Sequence, residues 1–419
     1  MPKRIALLTS FVGKIDTAYS LSTVVANQLK MLVKFGYHPT LIVRSLHEPQ
    51  GIWANPLIKV RQVPDYILDT VTGIVDDIEG FNKKVDETAK ALYDILKNVD
   101  VCLTHDTIFQ KGELIQNAAA RKVAEQLSHL RWLHWIHSGP EKHSSAQLPY
   151  PQNLRYQRFP HSFLVYPNYI DRARVSGMYG VEETDVKMVR HPIDICEFLG
   201  FSDLTTELVD SKKLLSADVL AVYPIRLDRG KQPHKILHIF SHLKKLGKIV
   251  RLIIADFHST GGDKLTYREE MQKLCIDIGL NKQEVIWMSE YSKETHYNSP
   301  QQLIRDLMLI ANVYIHPSMT ETYSLVCQEA AICRNLLVLN EDFPAMRDVY
   351  GESALYRQFS SVLVNTTFDN EYGAYYDMAR YISYYLKNER VVALATKIRK
   401  ERNLDYVFLH EMEPCLYVE

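Results

Sequence analysis

The chain has 419 residues, 49 basic and 50 acidic side chains, a formal net charge of −1 and a hydrophobic fraction of 46%. Near-neutrality gives no support to a nucleic-acid or membrane partner drawn by bulk charge, and the apolar fraction is ample for packed cores. The length exceeds what one core usually holds, so two α/β domains of roughly 200 residues each are expected.

Taken in chain order, Arg4-Ile-Ala-Leu-Leu-Thr-Ser begins a strand directly after Met1-Pro-Lys, with no basic-then-apolar leader expected. Gly13 lies in the loop that follows. Leu21, Val24, Val25, Leu29 and Leu32 fall at helical spacing before Gly36 stops the helix, and His38-Pro-Thr-Leu-Ile-Val starts the next strand. Asp76-Asp77-Ile-Glu79 reads as a solvated helix face. Asp100-Val-Cys-Leu-Thr-His-Asp reads as a strand whose exit is capped by His105-Asp106. Trp132-Leu-His-Trp-Ile-His137 is an apolar strand ending on a histidine. In isolation His137 is a core histidine, but its place at a strand end in the first domain favours an active-site role. Val189-Arg-His-Pro-Ile-Asp194 leads towards a linker, and the polar stretch Ser202–Ser216 marks the expected boundary.

The second half repeats the strand and helix alternation without a sequence repeat. Val219-Leu-Ala-Val-Tyr-Pro-Ile-Arg-Leu-Asp-Arg-Gly-Lys reads as a strand and a basic turn flanked by Arg226 and Lys231. A guanidinium fork and an ammonium point charge placed together suit a diphosphate. Pro233 suits the first turn of the next helix, and Ile236, Leu237, Ile239, Phe240 and Leu243 give it a buried face. Further strands are Arg251-Leu-Ile-Ile-Ala-Asp and Val285-Ile-Trp-Met-Ser-Glu-Tyr. Then Val313–Ile315 is a strand, His316-Pro317-Ser318 its exit loop and Leu325–Ile332 a helix. Glu321 before that helix and Glu329 in its second turn can bond sugar hydroxyls on either side of a phosphate held by the helix amides. Strict alternation of strand and helix favours doubly wound parallel sheets.

In that order, Arg226 with Lys231, the two following strands and Pro317-Ser-Met-Thr-Glu321 with Glu329 resemble the donor half of retaining GT-B glycosyltransferases, the glycogen-synthase-like group called family 4. The resemblance extends over nearly the whole chain. It implies a GT-B fold, α/β with two doubly wound Rossmann-like domains facing a cleft: an acceptor-side domain over 1–200, a donor domain over 217–385, and helices over 386–419, after Asn370, crossing back to the first domain. It implies a nucleotide-sugar donor of UDP or GDP type with no further cofactor. Glu321 is expected to hold sugar hydroxyls, Glu329 the ribose, and His137 the sugar from the opposing domain. Gly13 and the amides from Tyr323 through Ser324 and Leu325 to Val326 are expected at the phosphates, and Trp287–Tyr291, with Met288, beside the nucleobase. Retention follows in the family from attack on the face the nucleotide leaves, with a phosphate oxygen taking the acceptor proton. Where the family has paired glycines after the first strand this chain has Gly13 alone, and where it has Glu-Gly-Phe-Gly-Leu this chain has Glu321-Thr-Tyr-Ser-Leu325.

No Asp-x-Asp occurs, which removes the usual metal ligand of the other main glycosyltransferase fold, and no metal is expected. The six cysteines form no Cys-x-x-Cys pair and read as thiols of a reducing cytoplasm, and no apolar stretch approaches membrane-spanning length. Alternatives stay open: a GT-B epimerase, a non-catalytic sugar-nucleotide binding module, or transfer to a modified nucleic-acid base. The last rests on Trp132, Trp135, Tyr150, Tyr156, Phe159, Tyr166 and Tyr169 interleaved with Arg155, Arg158, Arg172 and Arg174. A dinucleotide dehydrogenase is disfavoured by the lack of Gly-x-Gly-x-x-Gly. A glycan or small-molecule acceptor is favoured.

Overall fold

The computed structural model describes residues 3–16, 19–137, 148–257, 264–296, 298–319, 321, 323–359 and 371–418. The chain divides into two compact units, residues 1–193 with 404–419 and residues 194–403. The division lies upstream of the polar stretch Ser202–Ser216, and the return to the first unit begins at Leu404. The helices Glu371–Asn388 and Arg390–Glu401 therefore belong to the second unit.

In the first unit, β1 (Ile5–Leu8), β2 (Thr40–Val43), β3 (Lys59–Gln62), β4 (Val101–His105), β5 (Arg131–Trp135), β6 (Ser162–Tyr166) and β7 (Val186–Met188) form one parallel sheet in the order β3-β2-β1-β4-β5-β6-β7. Helices cover both faces of its centre, so β1 and β4 are buried throughout; β1 reads as a continuous apolar run, while β4 ends on buried Thr104 and His105. The helix Ser20–Lys34 turns Leu21, Val25, Leu29 and Leu32 into the core. It ends at Phe35, after which Gly36 takes a left-handed φ of 83° that a Cβ would oppose. Asp76, Asp77 and Glu79 are exposed, and Asp77 also caps the helix Ile78–Leu96 by accepting the Gly80 amide at 2.9 Å. The returning C-terminal segment completes this core. Phe408 stacks on Phe35 at 4.2 Å, Val407, Met412 and Leu416 are buried, and Glu411 accepts the Arg190 amide at 2.7 Å.

The second unit has β8 (Val219–Arg226), β9 (Val250–Phe257), β10 (Val285–Trp287), β11 (Val313–His316), β12 (Leu336–Asn340) and β13 (Leu355–Arg357), parallel in the order β10-β9-β8-β11-β12-β13. Pro233 opens the helix Pro233–Lys245, and Ile236, Leu237, Ile239, Phe240 and Leu243 are all buried against the sheet. Each such side chain contributes roughly 1.5–3 kcal/mol by leaving water. Both sheets run outward from a central strand, then return to its other side. The loops after β1 and β4, and after β8 and β11, therefore diverge at the carboxyl ends of neighbouring strands, where doubly wound sheets form their ligand crevices.

Candidate functional site

In the second unit the loops leaving β8 and β11 are tied together through backbone groups. Gly230 O accepts the Met319 amide at 2.9 Å. Gln232, buried and held in a left-handed conformation at φ 49°, donates its side-chain amide to Pro317 O at 2.6 Å and to Phe359 O at 3.3 Å. Asn340 at the end of β12 donates to Ser318 O at 3.1 Å, so three successive residues after β11 have their main chain fixed. A non-glycine residue in the left-handed region costs of order 1–3 kcal/mol and persists only where its surroundings over-determine it, as they do at Gln232. Tyr223, buried in β8, donates its hydroxyl to Lys231 O at 2.6 Å and holds that residue at the crevice.

On this frame Lys231, His316 and Glu321 converge. Lys231 Nζ donates to Glu321 Oε2 at 3.1 Å, and His316 Nε2 lies 3.4 Å from the same oxygen. The Tyr314 hydroxyl lies 3.3 Å from His316 Nδ1 on the other side of the ring. The His316 hydrogen bond, opposed by burial and joined by the bond and charge of Lys231, holds the Glu321 carboxyl down at about 2. The pair is accessible, with the Lys231 and Glu321 side chains 23% and 20% exposed. Arg226 is freer, 59% exposed with its Nε 4.0 Å from Asp228, while Arg229 is engaged by both oxygens of Glu270 at 3.0 and 2.9 Å.

Ser324 occupies the position where the resembled family has its second glycine, and it takes a positive φ of 59°. A residue with a side chain is strained in that conformation. Its hydroxyl oxygen accepts the Cys327 amide at 3.4 Å, and Tyr350 donates to Tyr323 O and Ser324 O at 3.3 and 3.0 Å. Among the described residues the amides of Leu325 and Val326 have no hydrogen-bond partner, so the helix Leu325–Ile332 presents free donors at its start. Tyr323, Leu325 and Glu329 are exposed. Met288 is fully buried and its carbonyl accepts the Thr295 hydroxyl at 2.6 Å. The neighbouring cavity of about 640 Å³ is lined instead by Arg268, Ser289, Glu290, Ser292, Lys293 and His296.

The first unit gathers histidines. His137 follows β5, and its Nε2 lies 2.9 Å from Nδ1 of His105, whose own Nε2 faces Gln28 Oε1 at 2.9 Å. His191 stacks on the ring of His137 at 5.1 Å. Asp106 accepts the His137 amide at 2.8 Å, so it does cap a strand exit, that of β5. Burial lowers His137 and His191 to about 4, the second also through His137, and lowers His105 well below the usual histidine range, with His137 and His191 adding to it. Gly13 takes φ 72° and its amide donates to Ser45 Oγ at 2.8 Å, so that donor is already engaged.

Sequence reasoning missed Gln28, His191, Gln232, His316 and Asn340 as site-builders. Asn27-Gln28 inside an otherwise apolar helical face was the one available signal, since buried amides need partners. The interleaved aromatic segment resolves differently: Trp132, Trp135, Tyr156, Phe159 and Tyr166 are core residues, Arg155 is buried, and Tyr150 and Tyr169 alone of the seven rings are exposed. Among the described residues these rings therefore form no base-stacking surface. Among the described residues no group of three or more His, Cys, Asp or Glu side chains is placed to hold a metal ion, and no helix is long and apolar enough to cross a membrane.

Residues 206–400, within the second unit, match the family of glycosyl transferases group 1. No curated protein matches the chain. Among solved structures, a glycosyltransferase from Rickettsia africae ESF-5 is 11% identical, with 99% of this chain and 98% of that one covered and a TM-score of 0.35. Anabaena Alr3699/HepE in complex with UDP is 13% identical over 99% and 100%, with a TM-score of 0.35. An E. coli structure described as trehalose-6-phosphate bound with UDP-2-fluoro glucose is 13% identical over 99% of each chain, with a TM-score of 0.38.

Proposed function

We propose that the protein is a glycosyltransferase that moves a hexose from a UDP- or GDP-type nucleotide sugar to an acceptor hydroxyl with retention of configuration and without a metal. The observation that carries this reading is the Lys231, His316 and Glu321 cluster on a fixed loop at the β8 and β11 switch point, inside the stretch that matches the glycosyltransferase family.

Lys231 and Arg226 supply positive charge, and the Leu325 and Val326 amides supply oriented dipoles, for a diphosphate that gains charge as it leaves. Lys231 has three donors and spends one on Glu321, so an anionic ligand can share it. Glu321, held ionised, accepts from sugar hydroxyls, and exposed Glu329 accepts from the ribose. His137 serves the transferred sugar. The bond from the anomeric carbon to the phosphate oxygen breaks, the bond to the acceptor oxygen forms on the same face, and the acceptor proton passes to a phosphate oxygen. The base lies beside the Ser289-Glu290 turn. Six free thiols, four of them buried, support a cytoplasmic setting.

The test is incubation of the intact protein with mixed UDP- and GDP-sugars and acceptor pools, with product masses read by mass spectrometry. A hexose increment that persists in EDTA is expected. Activity lost to EDTA and restored by manganese would overturn the metal-free reading. Nucleotide binding without transfer or hydrolysis of any donor would favour a binding module.

A further inference from the structure

His137 is constrained on three sides by its own unit. Its amide is fixed by Asp106, one ring face is covered by His191, and its Nε2 edge meets His105 Nδ1 in nearly parallel planes, 14° apart. His105 is fully enclosed, and its remaining nitrogen meets Gln28 Oε1 at 2.9 Å. Gln28 is itself buried on the helix Ser20–Lys34, and the adjacent Asn27 donates to Pro192 O at 3.0 Å, next to the stacked His191.

This chain of contacts has a direction. An amide oxygen only accepts, so His105 must carry its proton on Nε2 and present a lone pair at Nδ1. That lone pair requires the proton of His137 to sit on Nε2. Nδ1 of His137 is then unprotonated, and among the described residues it has no hydrogen-bond partner. We infer that Gln28 and His105 are positioning residues that set the tautomer of His137 and leave its Nδ1 as an acceptor for a substrate hydroxyl. The inference rests on the reading that His137 meets the transferred sugar. His105 and Gln28 act through His137 and touch no substrate.

The experiment uses the full chain labelled with 15N-histidine, its His137 ring signals identified by their loss in His137→Gln. In the wild type at about pH 8, above the ordinary histidine range, Nδ1 of His137 is expected to be unprotonated and Nε2 protonated. Gln28→Leu, which keeps the volume and removes the acceptor, is expected to mix the two tautomers and lower kcat with the responsive UDP- or GDP-sugar roughly tenfold to a hundredfold, as for a misplaced group near the chemistry. The KM for that donor should stay within about twofold, because the nucleotide is held by the second unit. Gln28→Glu, a pure acceptor at this pH, is expected to restore both the ring state and kcat. A wild-type His137 protonated on Nδ1, or a folded Gln28→Leu with unchanged ring signals, overturns the inference. If Gln28→Leu does not fold, the wild-type and Gln28→Glu spectra still decide it. Normal turnover by His137→Gln, with the tautomer still following Gln28, would instead strike the role given to His137 in the proposed function.

Discussion

The two units each gather polar side chains at the carboxyl ends of their parallel strands, with opposite chemistry. At the β8 and β11 switch of the second unit the groups are ionic and partly open to solvent, with Lys231 against Glu321 at 3.1 Å. In the first unit they are imidazoles at the end of β4 and just after β5, His105 and His137 at 2.9 Å with the more exposed His191 stacked alongside, all lowered chiefly by desolvation. A shared winding creates a crevice, but burial decides whether it can carry charge. An ion pair open to solvent can exchange one partner for a ligand phosphate, whereas the imidazoles, fully buried only at His105, offer directional hydrogen bonds that a desolvated charge would disrupt.

Acid is the strongest way to separate the two. His105, His134, His137 and His191 in the first unit are lowered in the folded state, the middle pair to about 3 and about 4 and His191 to about 4, in each case chiefly by burial. In the second unit His234, at about 4, and His242 are lowered. The unfolded chain binds these protons near 6.5 and the folded chain does not. Their contribution is therefore complete above 6.5 and is lost as pH falls towards 4, by up to about 1.4 kcal/mol per pH unit for the fully buried His105 and His134 and by less for half-buried His137 and exposed His191, which solvent screens. Glu321 acts in a lower window, from 4.5 down to about 2. Hydrogen exchange on the intact protein at decreasing pH should open β4 and β5 before β11. Simultaneous opening would remove the distinction.

Next in size is Lys231→Met. It leaves Glu321 with His316 and removes the best-placed cation, so UDP or GDP affinity should weaken by roughly 1.5–3 kcal/mol, the range for losing a hydrogen bond to a charged group. Calorimetry reads it, and unchanged affinity for both nucleotides would sink the assignment of the ionic crevice.

The reciprocal change in the first unit is His137→Ala. Turnover should fall by roughly a hundredfold while nucleotide affinity stays within about twofold. A mutant that turns over normally makes His137 an ordinary enclosed histidine.

The smallest effect is expected for Arg226→Ala. Its side chain is 59% exposed and only loosely approached by Asp228, so solvent screens it and the loss in nucleotide affinity should be about 1 kcal/mol or less. A loss as large as that of Lys231→Met would mean that ligand binding encloses Arg226, and calorimetry on the two mutants side by side sharpens the ranking.

Much of the architecture was legible in the order of residues, because it depends on local spacing. Pro233 with Ile236, Leu237, Ile239, Phe240 and Leu243 announced a helix and its buried face, and the helix follows. The apolar run at Val313–Ile315 lies where the sequence placed it, since a fully buried parallel strand carries its own signal, and the helix over Leu325–Ile332 follows although its apolar Leu325 and Ile332 face solvent. The boundary was less legible: Ser202–Ser216 is polar, yet it lies within the second unit, where Thr205 donates to Asp306 at 2.9 Å.

Determined by sequence alone were the alternation of strands and helices, the basic turn at Arg226 and Lys231 and the two glutamates around one helix start, because each is a relation among neighbours. Only tertiary structure decided that Lys231 and Glu321 meet across 90 residues, that Gln232 and Asn340 fix the loop between them, and that His105 and His137, 32 residues apart, hydrogen-bond under His191. Those contacts depend on which strands lie side by side in the sheet. Strand order is set by the global packing of apolar faces, which no local pattern of residues encodes.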